Sequence, residues 1–390
     1  MEMRRLGKTG LSVAPIVIGG NVFGWTADEK TSFAILDAFF DAGLNTIDTA
    51  DVYSAWVPGN KGGDSEEIIG RWLSQAKVSR DKAVIVTKVG SDMGQGKTLK
   101  ESYILKAAED SLRRLQTDYI DLYLSHWPDA DTPHEETLGA FAKLKQQGKI
   151  RAIGCSNYDA KLLQASFDAA EKAGLPRYDV LQPEYNLYER ASFEGPLADL
   201  CVREDIGVIT YFSLAAGFLT GKYRSKADTE GRAREGRVSK YFDDKGLRIL
   251  AALDKISAET GAKPAEISLA WLLRKKGVTA PIASATSLSQ LESLAKSATL
   301  ALPMTRWRCS TKPAPERKRR HDRDDTRGPP RGRSPLARTL GGLPCLLRSR
   351  GRCRYHRSDM ASGLRSGVGN RDACRRGRRQ DDGVCALSHA

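Results

Sequence analysis

The chain alternates short runs of apolar residues with longer stretches in which apolar residues recur every three or four positions. Runs of the first kind predict β-strands that are covered on both faces, and stretches of the second kind predict amphipathic α-helices. The predicted strands span residues 14–19, 44–47, 83–88, 119–124, 150–154, 180–182, 207–211 and 278–283. The predicted helices span residues 28–42, 65–73, 99–115, 135–147, 160–173, 194–204, 247–259, 265–275 and 288–297.

Eight strand–helix units within about 290 residues fit a closed (β/α)₈ barrel, the TIM barrel of the α/β class. The alternative is an open, doubly wound sheet. A Gly-x-Gly-x-x-Gly fingerprint follows the first strand in many such sheets, and this chain has none. Residues 213–240 are rich in glycine and basic residues and are predicted to form one long loop.

The net charge of +14 comes from the last part of the chain. Residues 304–390 hold 23 lysines and arginines against 8 acidic residues, while residues 1–303 are close to neutral. The predicted organisation is therefore a barrel over 1–303 and an Arg-, Gly- and Pro-rich tail over 304–390. The near-neutral body argues against a protein that binds nucleic acid specifically.

The tail has neither helical nor strand periodicity and uses arginine almost without lysine. One interpretation is an arm that binds RNA or protein, but Trp307 and Tyr355 stand alone and form no stacking platform. A second interpretation is a disordered segment. We favour a third, an out-of-frame extension of a GC-rich gene, which would have no function of its own.

The cysteine content and the hydropathy of the chain indicate the cellular compartment. Residues 1–303 contain two widely spaced cysteines, Cys155 and Cys201, which suits a reducing, cytoplasmic environment. No apolar run approaches the length of a membrane span, and residues 1–10 lack the apolar core of a signal peptide. No histidine and cysteine spacing indicates a metal site.

Four ionisable side chains follow predicted strands at the end where barrel enzymes carry their catalytic groups. Asp48 follows the second strand, and Tyr53 lies five residues further on. Lys88 ends the third strand, and His126 follows the fourth. Each alone has an ordinary structural explanation, such as a loop cap or a buried histidine. Together, on three consecutive strands, they predict one active site.

These side chains suit proton transfer to the oxygen of a carbonyl group. A free tyrosine has a pKa of about 10, which is too high for an ideal acid at neutral pH. A lysine ammonium beside Tyr53 would lower that pKa, and Asp48 would keep Lys88 charged and oriented. His126 would polarise the carbonyl or tune the phenol. Because no side chain donates a hydride, the pattern predicts a nicotinamide cofactor.

Longer motifs, in the same order along the chain, resemble those of the aldo-keto reductase superfamily over about residues 3–300. They are RRLGKTGLSV (4–13), DTADVY (48–53), VTK (86–88), LSHWPD (124–129), GKIRAIGCSNY (148–158), QPEYNLYER (182–190) and YFSLAAGFLTGKYR (211–224). The resemblance implies a (β/α)₈ barrel with an N-terminal β-hairpin across its lower end. It also implies that NAD(P)H reduces an aldehyde or ketone reversibly, with Tyr53 as general acid. Lys88, Asp48 and His126 would assist.

The resemblance further implies a set of cofactor-binding residues. Ser156, Asn157 and Gln182 would bind the nicotinamide carboxamide. Tyr211 would stack on the nicotinamide ring. The loop over the pyrophosphate would comprise Ser213, Leu214, Gly217, Leu219, Gly221 and Lys222. The remaining contacts would come from Gly20, Asn21, Ser284, Thr286 and Gln290.

The preference between the two dinucleotides stays open, because Ser284 and Thr286 stand where the family often has a glycine and an arginine. NADP(H) is the preferred prediction, since Lys222 and the arginines of residues 231–237 supply positive charge for a ribose 2′-phosphate. NAD(H) is the alternative.

Three tryptophans, Trp25, Trp56 and Trp127, lie on loops at the predicted active end and indicate an aromatic-lined substrate pocket. The predicted partner is a small carbonyl compound or the corresponding alcohol. The alternative function is a redox-sensing binding module, because the same family includes potassium-channel β subunits that turn over slowly or not at all.

Overall fold

The structure, a computed structural model, describes residues 1–75 and 78–302. The predicted boundary at residue 303 and all three interpretations of the tail lie outside this part of the chain. The strands are β1 Arg4–Arg5, β2 Ser12–Val13, β3 Val17–Gly19, β4 Thr46–Asp48, β5 Val84–Val89, β6 Ile120–Ser125, β7 Ile150–Ser156, β8 Val180–Gln182, β9 Gly207–Thr210 and β10 Ala280–Ala283. Strands β3 to β10 form a closed, parallel barrel in which β10 pairs with β3. The predicted (β/α)₈ barrel is confirmed, and the open sheet is excluded.

Helices surround the barrel. They are α1 Glu29–Asp41, α2 Asp64–Gln75, α3 Glu101–Leu115, α4 His134–Gln146, α5 Ala160–Ala173, α6 Pro196–Glu204, α7 Glu235–Val238, α8 Asp244–Thr260, α9 Pro264–Leu273 and α10 Leu288–Thr299. Several begin where a side chain accepts a hydrogen bond from a backbone N–H of the first turn. Asp28 does so before α1, Asp159 before α5 and Asp243 before α8.

The segment after β9 differs from the single loop predicted over residues 213–240. It contains the 3₁₀ turns Ala215–Thr220 and Lys226–Thr229 and the one-turn helix α7. Elements this short leave no 3.6-residue periodicity in a sequence, so the pattern predicts only a loop. The end of the segment is anchored by the buried side chains of Val238 and Tyr241, and Tyr241 stacks on Phe218.

The lower end of the barrel is covered by the antiparallel hairpin of β1 and β2, as the resemblance implies. Leu6, between the two strands, is fully buried and belongs to the apolar core inside the barrel. Gly7 has a φ of 54° and passes so close to β9 that a β-carbon there would lie 2.5 Å from the nitrogen of Gly207. Only glycine therefore allows the hairpin to approach this closely.

Inward and outward side chains alternate along each barrel strand. Val86 of β5 and Leu124 of β6 belong to the apolar core inside the barrel. Two residues further on, in the same inward direction, come Lys88 and His126. The barrel interior is thus apolar below and polar at the carboxyl ends of the strands, where the predicted site lies.

Candidate active site

The loop after β4 stays paired with β5, and this pairing places Asp48 and Tyr53 beside Lys88. The backbone N–H of Asp51 donates to the carbonyl of Lys88 at 3.3 Å. The backbone N–H of Tyr53 donates to the carbonyl of Ala50 at 3.2 Å, which closes a tight turn. The backbone N–H of His126, the residue after β6, donates to the carbonyl of Val89, the last residue of β5, at 2.8 Å. Strand pairing therefore brings the four predicted ionisable residues close together at the carboxyl ends of the strands.

The Lys88 ammonium is the centre of the site. Its Nζ donates to Oδ2 of Asp48 at 2.8 Å, to the hydroxyl of Tyr53 at 2.8 Å and to the carbonyl of Thr49 at 2.7 Å. The Tyr53 hydroxyl in turn donates to Oδ2 of Asp48 at 3.2 Å. The Tyr53 and His126 rings lie 6.1 Å apart between centroids. Lys88 and Asp48 are buried, whereas Tyr53 and His126 are partly exposed at the barrel mouth.

Ser91 is a site residue that the sequence analysis missed. Its hydroxyl lies 2.8 Å from Nδ1 of His126, and its side chain is buried. A neutral imidazole whose Nδ1 accepts a hydrogen bond carries its proton on Nε2. The signal in the sequence is only a serine three residues after the strand-end lysine, and nothing local connects it to the histidine.

Burial dominates the pKa values at the site. The pKa of Tyr53 is raised well above 10, first by burial and then by the Asp48 carboxylate, while the charge of Arg237 acts in the opposite direction. The expectation of a net lowering of this pKa by Lys88 is therefore wrong. Burial also lowers the pKa of Lys88, against the opposing effect of Asp48. Burial lowers the pKa of His126 well below 6.5, so at neutral pH His126 is uncharged and Tyr53 keeps its proton.

The residues predicted to hold the nicotinamide form one hydrogen-bonded chain with Asp48. Gln182 Nε2 donates to Oδ1 of Asp48 at 2.7 Å, and the Ser156 hydroxyl donates to the backbone carbonyl of Gln182 at 2.8 Å. Asn157 Nδ2 donates to Oγ of Ser156 at 3.1 Å. The Tyr211 hydroxyl donates to Oδ1 of Asn157 at 2.7 Å. Ser156 and Gln182 are buried, and Asn157 and Tyr211 are partly exposed.

A second group of predicted cofactor residues lies after β3 and β10, which are neighbouring strands. The Ser284 hydroxyl donates to Oδ1 of Asn21 at 2.6 Å and joins the two loops. A β-carbon on Gly20 would lie 2.9 Å from a buried serine hydroxyl, so this turn is tightly packed. The backbone N–H of Thr286 donates to Oε1 of Gln290 at 2.9 Å, at the start of α10.

The predicted pyrophosphate loop forms one compact turn after β9. Its members are Ser213, Leu214, Gly217, Leu219, Gly221 and Lys222. Backbone bonds close the turn, among them one from the N–H of Leu219 to the carbonyl of Leu214 at 3.2 Å. Gly217 has a φ of 101°, and a β-carbon there would lie 3.5 Å from Cε of Lys222. The Lys222 side chain therefore lies against this turn.

The three predicted pocket tryptophans are partly exposed and lie around Tyr53 and His126. Trp56 makes edge contacts with Tyr53, at 6.2 Å between ring centroids, and with Trp25 at 5.6 Å. Trp127 stacks on His126 at 6.0 Å. Aromatic rings at the mouth of the barrel therefore line the approach to Tyr53 and His126.

Two arginines from the segment around α7 reach the same mouth. The guanidinium carbon of Arg234 lies 5.6 Å from the ring centroid of Trp25, and that of Arg237 lies 5.7 Å from the ring centroid of Phe212. Arg237 also interacts electrostatically with Tyr53. At least one arginine of residues 231–237 is therefore close to Tyr53.

Comparison with known proteins agrees with this geometry. The model of the aldo/keto reductase family matches residues 15–308. This chain belongs to the aldo/keto reductase family. The resemblance inferred from the motifs is thus confirmed, and the aldo/keto reductase described here has relatives that are named as oxidoreductases.

Three curated relatives of this aldo/keto reductase bear on its function. An uncharacterised oxidoreductase of Bacillus subtilis is 35% identical over 310 residues, covering 77% of this chain and 92% of the relative. An L-glyceraldehyde 3-phosphate reductase of Escherichia coli K12 is 32% identical over 305 residues, covering 75% and 86%. A probable voltage-gated potassium channel subunit beta of Arabidopsis thaliana is 33% identical over 300 residues, covering 75% and 89%.

Neither a membrane span nor a metal site is found in residues 1–75 and 78–302. No helix in that part of the aldo/keto reductase combines the length and the hydropathy needed to cross a bilayer. No group of three or more histidine, cysteine, aspartate or glutamate side chains there could hold a metal ion.

Proposed function

We propose that this aldo/keto reductase uses NAD(P)H to reduce an aldehyde or ketone to the alcohol, and that it also catalyses the reverse oxidation. The observation that carries this proposal is the contact of one buried ammonium, Lys88, with both Asp48 and the Tyr53 hydroxyl. It places a protonated phenol, and a cation able to stabilise the phenolate, at one point beside the neutral His126. We propose a cytoplasmic location on the cysteine usage alone.

The side chains next to this group suit a nicotinamide. A carboxamide both donates and accepts hydrogen bonds, and Ser156, Asn157 and Gln182 offer hydroxyl and amide groups side by side. Tyr211 presents a partly exposed ring beside Asn157 that is available for stacking. When bound, a reduced nicotinamide would supply the hydride that no side chain can donate.

The proton that the carbonyl oxygen receives comes from a side chain of the protein. The carbonyl oxygen accepts hydrogen bonds from the Tyr53 hydroxyl and from Nε2–H of His126, and Tyr53 gives up its proton as the oxygen becomes an alcohol. The phenolate that remains on Tyr53 lies 2.8 Å from the Lys88 ammonium, which stabilises it. Asp48 holds Lys88 in place. In the oxidation, the same phenolate accepts the proton of the alcohol.

We propose NADP(H) as the preferred cofactor. Lys222 lies against the loop assigned to the pyrophosphate, where its positive charge favours the more highly charged dinucleotide. Fluorescence titration with NADPH and with NADH compares the two dinucleotides directly. Tighter binding of NADH would assign Ser284 and Thr286 to an NAD site instead.

A turnover assay separates this function from that of a binding module. Reduction of a panel of aldehydes and ketones is followed by the absorbance of the reduced cofactor, with cofactor in excess over protein. Many turnovers per protein molecule support a reductase. A single turnover of bound cofactor, followed by no further reaction, would favour the second candidate, a redox-sensing binding module. The similarity to a probable voltage-gated potassium channel subunit beta keeps this candidate open.

Replacing Ser91 with alanine is expected to lower kcat about tenfold, because Nδ1 of His126 loses its hydrogen bond and the tautomer of the imidazole is no longer fixed. Cofactor affinity should not change, since Ser91 contacts none of the predicted cofactor residues. Steady-state kinetics and a dinucleotide titration measure the two quantities.

A double-mutant cycle distinguishes positioning from a general structural role. In a His126→Gln background, Ser91→Ala should have no further effect on kcat, because the imidazole that it orients is gone. Ser91→Thr, which retains the hydroxyl, should keep most of the activity. An equal loss in both backgrounds would show that Ser91 does not act through His126.

A further inference from the structure

The strongest unexplained feature of the barrel mouth is a pair of arginines held side by side. Arg234 and Arg237 are one helical turn apart, and the backbone N–H of Arg237 donates to the carbonyl of Arg234 at 3.0 Å. Both side chains are half-buried. Like charges at this spacing repel each other, and an anion bound by both guanidinium groups would offset that repulsion.

The described part of the chain does not provide that charge for Arg234. Among residues 1–75 and 78–302, no carboxylate forms an ion pair with it, and Glu235, its neighbour in sequence, accepts a hydrogen bond from the backbone of Gly231 at 3.0 Å instead. Burial and the charge of Arg237 together lower the pKa of Arg234. The Arg234 guanidinium lies over the ring of Trp25.

The position of the pair relates it to the reacting end of the site. Arg237 lies over Phe212, which follows the predicted stacking residue Tyr211, and it interacts electrostatically with Tyr53. Arg234 lies over Trp25, whose ring contacts lead through Trp56 to Tyr53. Both arginines are thus on the side of the proton donor. Two other predicted cofactor residues, Asn21 and Ser284, lie after β3 and β10.

We propose that Arg234 and Arg237 bind an anionic group of the substrate, a carboxylate or a phosphate, while its carbonyl oxygen meets Tyr53 and His126. This inference rests on the proposed carbonyl reduction and names its substrate class: short aldehydes or ketones that carry a negative charge. Arginine suits this role because its planar guanidinium binds carboxylate and phosphate oxygens through two parallel hydrogen bonds. The same arginines would otherwise serve a phosphate of the cofactor.

Two substrates that differ by one charge test the proposal. The probes are 4-carboxybenzaldehyde and its methyl ester, methyl 4-formylbenzoate, which share the ring and the reacting aldehyde. The wild-type enzyme should show the higher kcat/KM on the acid. The ratio of kcat/KM on the acid to kcat/KM on the ester should fall about 10- to 100-fold in Arg234→Gln and in Arg237→Gln.

Two further variants control for folding and for charge. Arg248, exposed on α8, provides the matched substitution Arg248→Gln, which should leave both substrates unaffected. Arg237→Lys keeps the charge without the planar fork and should retain part of the preference for the acid. Thermal melts of all variants show whether any loss comes from unfolding.

Titration with NADPH shows whether the two arginines bind an anionic group of the substrate or a phosphate of the cofactor. If the arginine variants weaken NADPH binding tenfold and slow both substrates equally, the anion belongs to the cofactor, and the substrate assignment is overturned. If neither variant changes the ratio of acid to ester, the proposal fails as well.

A binding measurement keeps this inference distinct from the proposed turnover. The alcohol 4-(hydroxymethyl)benzoate and its methyl ester are titrated against the cofactor-loaded protein by tryptophan fluorescence, which requires no reaction. Tighter binding of the acid, lost in Arg237→Gln, would support the anion site even if no aldehyde were reduced. Equal binding of acid and ester in the wild-type protein would overturn it.

Discussion

Replacing Tyr53 with phenylalanine is expected to lower kcat for carbonyl reduction by about 10²- to 10⁴-fold, the usual contribution of a positioned proton donor. In the proposed mechanism the phenol gives its proton to the carbonyl oxygen, and phenylalanine preserves the ring but removes that proton. Trp56, which contacts the edge of the ring, keeps its neighbour. Dinucleotide affinity should therefore remain at the wild-type level. Steady-state kinetics and fluorescence titration measure both quantities.

A matched variant elsewhere in the barrel controls for the loss of a hydroxyl. Tyr119 precedes β6 at the lower end of the barrel, where its ring lies beneath the guanidinium groups of Arg80 and Arg151. Tyr119→Phe should leave kcat unchanged. Near-wild-type turnover of Tyr53→Phe would remove Tyr53 from the role of general acid, and with it the central assignment of the site.

The pH dependence of the wild-type enzyme checks the same assignment. The raised pKa of Tyr53 means that the phenol stays protonated as the pH rises toward the ordinary value of 10. The lowered pKa of His126 means that the imidazole is already neutral at pH 6.5. The kcat of reduction should therefore be flat between these values. A transition inside the range would show that Tyr53 loses its proton below pH 10, that His126 gains one above pH 6.5, or that Lys88, whose pKa burial lowers, loses its charge there.

The barrel could be predicted because its strands are buried on both faces and leave uninterrupted apolar runs in the sequence. Helix α5 was predicted with the bounds that the structure has, since Asp159 caps its start and Gly174, with a φ of 63°, ends it. Helix α8 begins three residues before its predicted start. Gly246 in its first turn looks like a helix breaker, but a β-carbon there would lie 1.8 Å from the carbonyl of Tyr241. The glycine is required by packing that no local pattern reveals.

The proximity of Lys88 and His126 could be predicted from the sequence for a related reason. Lys88 and His126 continue inward rows of side chains, so the strand period brings them to one face. Neither the contact of Ser91 with His126 nor the direction of the Tyr53 pKa follows from such a pattern. The first depends on where a loop folds back, and the second on how completely the phenol is buried. The sequence predicts which charged residues lie near Tyr53, whereas desolvation decides the direction in which the pKa of Tyr53 shifts.

Replacing Lys88 with methionine is expected to reduce both catalysis and stability, through two separable causes. The phenolate that forms on Tyr53 loses the ammonium 2.8 Å away, and removal of one such donor typically lowers kcat about 10²- to 10³-fold. Asp48, 2% exposed, loses its ion-pair partner. Breaking a buried pair in this way costs about 3–5 kcal/mol of unfolding free energy. Kinetics on the folded fraction and denaturant melts measure the two effects.

The double variant Lys88→Met with Asp48→Asn separates these causes. It removes the unpaired carboxylate, while the asparagine still has an oxygen that can accept the bond from Gln182 Nε2. Stability should therefore return toward the wild-type value, because no buried charge remains unpaired. Catalysis should stay low, since the phenolate still has no cation beside it. If kcat recovered together with stability, Lys88 would act only by holding the barrel mouth together, and the proposed stabilisation of the phenolate would be wrong.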